Sequence, residues 1–291
     1  MKRIYLCMLM AIGAMWANAD NWVRDTEPAI LEVHYTRTEV TDTTKREANY
    51  FNEDTMLRIG NGMSRYCSVP KFYNDSLCHF NPALYWERER VAFENSRGQD
   101  PRMRDMEGLA SRGRFSNVIY KNYPEGKVTE TAYFEMEYWR YEEDWEKPVW
   151  EIIDESKEII GYQCFKATTD YRGRRWTAWF APEIPLQDGP WKLCGLPGLI
   201  LEAEDNHQEY RFVANGLQQN GLAEVGFLCY REKRGVNNVT RDKFFNSWWK
   251  YVNSNFGAKM SSMFGQGSHP TATEKNEQHR DKEETNYPHD L

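Results

Sequence analysis

The sequence has no G-x-S-x-G elbow, no H-E-x-x-H, no P-loop and no G-x-G-x-x-G. Those absences remove the hydrolase, metalloprotease and nucleotide signatures that short motifs can carry. It has no C-x-x-C, so neither a thioredoxin-like redox pair nor a zinc ribbon is indicated. Cations are in the minority: 37 Lys and Arg face 44 Asp and Glu, a net charge of −7. Nucleic acid and anionic membrane surfaces both call for clustered cations, so neither is expected as the main partner. No apolar run reaches the roughly 20 residues of a membrane-spanning helix, so an integral membrane protein is not expected. The histidines number six, and three of them (His269, His279, His289) lie in a polar C-terminal stretch. Cys78 and His79 are adjacent, and neighbours on a strand point to opposite faces, which makes them a poor ligand pair. No metal, cofactor or catalytic residue is expected.

What is there begins with an export signal. Lys2 and Arg3 precede the short apolar stretch Ile4 to Trp16, and Ala17-Asn18-Ala19 is an A-x-A cleavage site. Residues 1–19 are therefore expected to be removed, for an address in the periplasm, at the outer membrane or outside the cell. The mature chain keeps 35 basic and 44 acidic residues, a net charge of −9. Five cysteines remain in it. An oxidising compartment favours disulfides, and the expected pairs are Cys67–Cys78 and Cys164–Cys194, with Cys229 left over.

Most of the mature chain reads as strand. Leu31, Val33 and Tyr35 alternate with Glu32, His34 and Thr36. Gly60-Asn61-Gly62 is a hairpin turn between two short runs. VIYKNY and KVTETAYFEMEYW flank the turn Pro124-Glu125-Gly126. Further runs follow at 149–153, 158–171, 174–181, 199–205, 209–217 and 227–233. Residues 81–113, rich in Arg, Glu and Met, read as a helical or irregular insertion. Thr240 can N-cap a helix to about Asn255, with Phe244, Phe245, Trp248, Trp249, Val252 and Phe256 on an aromatic stripe. The fold expected is mainly β: an antiparallel meander forming a curved sheet or partial barrel, with the C-terminal helix packed on it. It is a single domain over 20–264, and residues 265–291 are expected to be a disordered polar tail.

One segment asks for unusual backbone geometry. GPWKLCGLPGLILEAED (189–205) holds the hexapeptide Gly195-Leu196-Pro197-Gly198-Leu199-Ile200. Related patterns are Leu57-Arg58-Ile59-Gly60 with Ser64, Gly161-Tyr162-Gln163-Cys164-Phe165-Lys166-Ala167, Arg172-Gly173-Arg174 and Ala178-Trp179-Phe180-Ala181-Pro182-Glu183-Ile184-Pro185. On these residues the chain resembles the GLPGLI family, exported proteins found mainly in the Bacteroidota. The resemblance runs from about 30 to 260 in outline and is dense over 161–205. It implies export and no established activity. Segment 81–113 and Cys194 depart from the family pattern. Read physically, Pro197-Gly198 is the signature of a type II turn, feeding a strand whose hydrophobes plug one end of the sheet.

The cationic residues Lys166, Arg172 and Arg174, with Arg175 beside them and Glu183 near, suggest either a rim for an anionic head group or cross-strand ion pairing. With 11 tryptophans and 14% aromatics, the rings suggest an apolar cavity. The candidate ligand-binding set is Lys166, Arg172, Arg174, Trp179, Glu183, Trp191, Leu196, Pro197 and Leu199. Two functions fit: an envelope protein holding an apolar or lipid-like ligand in a half-barrel cavity, and an assembly protein whose sheet edge accepts a partner's strand. An enzyme with an unfamiliar site near 166–198 is a third reading.

Overall fold

The computed structural model describes residues 23–40, 50–96, 115–135, 137–228, 235–252 and 284. The signal segment 1–19, Cys229, Phe256 and all of the polar tail except Glu284 lie outside the described residues.

Alternating strands build two antiparallel meanders. The first runs outward through β2 (Leu31–Val40), β3 (Tyr50–Ile59), β4 (Ser64–Ser68), β5 (Val118–Lys121), β6 (Lys127–Phe134) and β7 (Glu137–Asp144). The second runs inward through β8 (Glu151–Ile159), β9 (Tyr162–Tyr171), β10 (Arg174–Ala181), β11 (Leu199–Asp205) and β12 (Tyr210–Gln218). They meet where β12 pairs with β2, from Tyr210↔Glu39 to Gln218↔Glu32. A two-residue strand, β14 (Asn237–Asn238), adds to β7 in parallel, and the sheet has 12 strands. A separate ribbon pairs β1 (Val23–Glu27) with β13 (Val225–Leu228).

The connection between β7 and β8 shows that this sheet is curled. Those strands stand ten places apart in the sheet. Laid flat they would be roughly 48 Å apart, at about 4.8 Å per strand. Residues 145–150 alone join them, and a chain that short reaches about 25 Å at most. The two arms therefore curve toward each other, giving a curved open sheet that does not close into a barrel. One hydrophobic cluster fills the inside of the curl. It takes Leu57, Tyr66 and Ile119 from one arm, and Ala178, Leu201 and Phe212 from the other.

Among the described residues three helices accompany the sheet. In α1 (Val69–Phe80) Ser68 is the N-cap, accepting from the Lys71 amide at 3.2 Å. This helix was not legible as one, because its β-like start, Ser68-Val69-Pro70, masked the cap. The helix α2 (Pro82–Ser96) realises the first half of the expected insertion, and 97–113 lie outside the described residues. The third, α3 (Arg241–Val252), starts where the Thr240 carbonyl accepts from the Phe244 amide at 2.9 Å. Its aromatic stripe packs on the sheet: Phe244 and Phe245 are buried against Ala132, Phe134 and Tyr141. The run 158–171, read as one strand, breaks at Ile160-Gly161, where both residues have positive φ, into β8 and β9. KVTETAYFEMEYW likewise breaks at Glu135, with φ 52°, into β6 and β7.

Candidate functional site at the seam of the sheet

Between β10 and β11, residues 182–198 fold back into the mouth of the curl. The backbone is tied to itself: Leu199 donates to the Ile184 carbonyl at 3.0 Å, Ile200 to Asp188 at 3.0 Å, and Gly195 to Gln187 at 3.1 Å. Trp191, Leu193, Leu196 and Leu199 are buried in the inner cluster. Trp191 holds φ 53°, uncommon for a bulky residue, with its ring 5.3 Å from Trp176 and 5.9 Å from Tyr171. The expected type II turn is replaced. Gly198 donates back to the Leu196 carbonyl at 2.8 Å, a γ-turn centred on Pro197. Packing fixes the residue here: a Cβ on Gly198 would sit 2.3 Å from the Ala181 carbonyl oxygen, so this position admits no side chain. The plug reading of the hexapeptide holds, with Pro197 itself exposed.

The plug also delivers a charge. Lys192 lies between two apolar residues and is 1% exposed. Its ammonium reaches the other arm: Glu130 on β6 at 3.0 Å, Glu143 on β7 at 3.1 Å, and the Tyr141 hydroxyl at 2.5 Å. Tyr141 donates in turn to Glu130 at 2.6 Å. Lys192 also pairs with Glu284, which is 1% exposed. Arg172, in the β9–β10 turn, pairs with Glu143 at 2.8 Å. Arg241, the first residue of α3, pairs with Glu284 at 2.5 Å and lies 3.4 Å from Glu143. Three carboxylates thus meet three cations across the seam between the arms. Burial alone would lower the Lys192 pKa, but Glu284, Glu130 and Glu143 reverse that and hold it well above the usual lysine range. Burial, then the same carboxylates, pushes Tyr141 well up, so it stays a donor. The arrangement is a set of fixed charges paired with one another across the seam.

The expected ligand set is dispersed. Arg172 joins the seam cluster. Arg174 is buried and forms ion pairs with Asp205 at 2.8 Å and Glu209 at 2.6 Å. Arg175 pairs with Asp170 at 3.2 Å. These three arginines border an open polar groove of about 560 Å³, shared with Asp170, Asn206 and His207. Lys166 pairs with Glu155 at 2.9 Å, and Trp179, opposite it in register, lies under the Lys157 ammonium at 4.3 Å. Glu183 is exposed beyond β10, away from the arginines. Trp191, Leu196 and Leu199 are core. Cross-strand ion pairing therefore accounts for Lys166, Arg174 and Arg175.

Glu130, Glu143, Tyr141, Lys192, Arg241 and Glu284 were not among the candidates. One signal was available. In Val128-x-Glu130-x-Ala132-x-Phe134 the glutamate occupies the apolar face of its strand.

Neither expected disulfide is present: Cys67, Cys78, Cys164 and Cys194 are free. Cys78 is the tenth residue of α1, roughly 13 Å along the helix from its start, while Cys67 is in β4. A bridge needs Cα atoms within about 7 Å. Cys164 faces Lys157 and Glu202, whereas Cys194 faces Lys121 and Asp188, so those thiols occupy different surroundings.

A second candidate is the sheet edge. Among the described residues β8 is terminal and is hydrogen-bonded only to β9. Around it Val149 is 88% exposed, Ile152 56%, Ile160 42% and Phe165 38%. The strand carries Glu151, Asp154, Glu155 and Glu158 against Lys157, and its register shifts between Ile153 and Ser156.

Residues 172–202, from the Arg172 turn through the plug to Glu202, match a family described as "Protein of unknown function (Porph_ging)". A search of curated proteins finds no match. Among solved structures, PNGF-II in its C2 space group is similar at 12% identity and a TM-score of 0.46, over 77% of this chain and 33% of that one. The P21 form is similar at 13% identity and 0.46, over 76% and 33%. This chain thus spans about a third of the length of PNGF-II. Among the described residues no helix is long and apolar enough to cross a membrane.

Proposed function

We propose that this is an exported, non-catalytic protein of the cell envelope that binds an extended segment of a partner along β8. One observation carries the reading: a nine-residue terminal strand keeps a free edge with Val149, Ile152 and Ile160 exposed beside it. Strand addition uses such an edge, with backbone hydrogen bonds for affinity and alternate side chains for specificity. Four acids and one lysine on β8 repel a second copy and favour a partner strand bearing Lys or Arg. The irregular register near Ser156 further discourages indiscriminate pairing. The basic start, short apolar stretch and A-x-A site of residues 1–19 support the export part of the reading.

The test is native mass spectrometry on protein gently extracted from its host's envelope. A stoichiometric protein adduct is expected. It should be lost in a Val149→Lys, Ile152→Lys variant and retained in Lys127→Glu, on β6 of the other arm. A bare mass, or an adduct indifferent to the edge substitutions, overturns the reading.

A second reading, binding of a small apolar ligand, draws on a different place. On the outer face, Val118, Tyr120, Trp139, Phe227 and Leu228 line a cleft of about 30 Å³. The Trp139 indole nitrogen is buried and has no hydrogen-bond partner. That space holds one water-sized group, so a ligand there would seat a small moiety. The expected half-barrel cavity is the space that the plug residues occupy.

A further inference from the structure

The seam cluster divides into a receptor and an occupant. Lys192, Arg172, Glu130 and Glu143 belong to the sheet and the plug, and Arg241 opens the helix packed on it. These five carry three positive and two negative charges. Glu284 belongs to no helix or strand, and lies 32 positions beyond the end of α3 at Val252. Its carboxylate is nonetheless among the most buried groups of the molecule, at 1% exposed. One oxygen takes the Lys192 ammonium; the other accepts from Arg241 Nη2 at 2.5 Å and Nε at 3.0 Å, with Arg172 Nη1 at 4.0 Å. Arg172 keeps a further donor, its buried Nε, without an acceptor among the described residues.

Burying an uncompensated positive charge is costly. Without Glu284 these five would hold one, for Glu146 and Asp242 reach Arg172 and Arg241 only from the exposed side, at 4.0 and 3.7 Å. The cluster therefore calls for one further carboxylate. We propose that Lys192, Arg172 and Arg241 form a peptide-carboxylate site, and that the chain's own C-terminal segment fills it in cis through Glu284. The site recognises a glutamate side chain, and its covalent attachment to the same chain supplies it at high effective concentration. Occupancy locks three elements at once: the plug, the β9–β10 turn and α3. This site is independent of the β8 edge.

The test uses the full-length chain. A Glu284→Ala variant leaves the receptor unfilled, and a synthetic peptide of residues 278–291 is added in trans under isothermal titration. The variant is expected to bind one peptide, and the wild-type chain none. A peptide carrying Glu284→Gln should bind at least about 30-fold more weakly, as for removal of one partner from a buried charge pair. Equal binding of both peptides, equal binding to both proteins, or no binding to a folded variant overturns the proposal. Should Glu284→Ala fail to fold, trypsin cleavage after Lys282 gives the second readout. It is expected to be slower in wild type than in Glu284→Gln, and equal rates overturn the proposal.

Discussion

Two buried cationic regions of this molecule solve the same problem in opposite ways. At the seam Lys192 is ringed by Glu130, Glu143 and Glu284. On the outer face of β4, Arg65 is equally buried, at 1% exposed, yet its hydrogen bond goes to the Gly226 carbonyl at 3.0 Å. Its Nε and Nη2 have no partner, and its guanidinium rests 5.1 Å from the Phe72 ring centre. The nearby acid, Glu32, is taken by Arg58 at 2.5 Å. Burial pushes the Arg65 pKa down, with Arg58 adding to it, whereas Lys192 is pushed up. A balanced cluster joins distant pieces of chain and fails if one member is lost. An aromatic face and one carbonyl tolerate a cation without specifying a partner for it.

The largest expected effect tests the balanced side. Lys192→Met leaves three carboxylates facing two arginines in a buried site. Unfolding in urea should show a loss of about 3–5 kcal/mol; a loss below about 1 kcal/mol would mean the seam is not a charge-dependent joint. Next comes the plug that carries Lys192. In Gly198→Ala the new methyl would meet backbone, which cannot swing aside. A loss of about 3 kcal/mol is expected by the same measurement, and a neutral result would refute the close approach to Ala181.

The third effect lies beside Arg65. Glu32 has its pKa lowered from 4.5 to about 2: burial acts to raise it, but His34 and Arg58 overcome that. A carboxylate depressed in the folded state stabilises above its unfolded pKa, and that contribution is lost as pH falls through the folded value. Stability should therefore drop between about pH 4.5 and 2. After discounting for solvent screening the drop is about 1–2 kcal/mol. Glu32→Gln should flatten that part of the profile, and an unchanged acid limb would remove Glu32 as its source. The smallest stability change is expected for Arg65→Met, which removes an unpaired cation from an apolar layer. It should be neutral or stabilising, within about 1 kcal/mol; a loss like that of Lys192→Met would erase the contrast between the regions. The thiols give a chemical check. Burial pushes Cys164 and Cys194 up to about 11, so at pH 8 roughly 0.1% is thiolate. Alkylation in the folded protein should be slow at both and rapid in urea, read by mass. A mass lower by paired hydrogens would restore the disulfides.

Much of the sheet was legible because it is local. Alternation located β2, β10 and β11, and Gly60-Asn61-Gly62 located the β3–β4 hairpin. The aromatic stripe from Phe244 located α3 together with its buried face. Single strands were read too long at Ile160 and Glu135, since a break made by φ alone leaves little trace in composition. No element was expected over 69–80, because Pro70 stands in the first turn of α1, where it is tolerated but hides the start of the helix.

The site was scarcely legible, and the physics says why. Lys192, Glu130, Glu143 and Glu284 are scattered from one another in sequence, and each alone looks like an ordinary surface charge. The amino-acid sequence by itself determined the alternation, the hairpin turn at Gly60-Asn61-Gly62 and the helix start at Thr240. Those depend on a residue and its neighbours, through φ preference, side-chain direction and a hydrogen bond within a few positions. Only the tertiary structure decided that six residues must carry the chain from β7 to β8. That curls the sheet, turns the apolar face inward, and brings the plug lysine to the acids of the far arm. Charge burial is a property of that closure: a carboxylate becomes a partner rather than a surface group only when the fold removes the water around it.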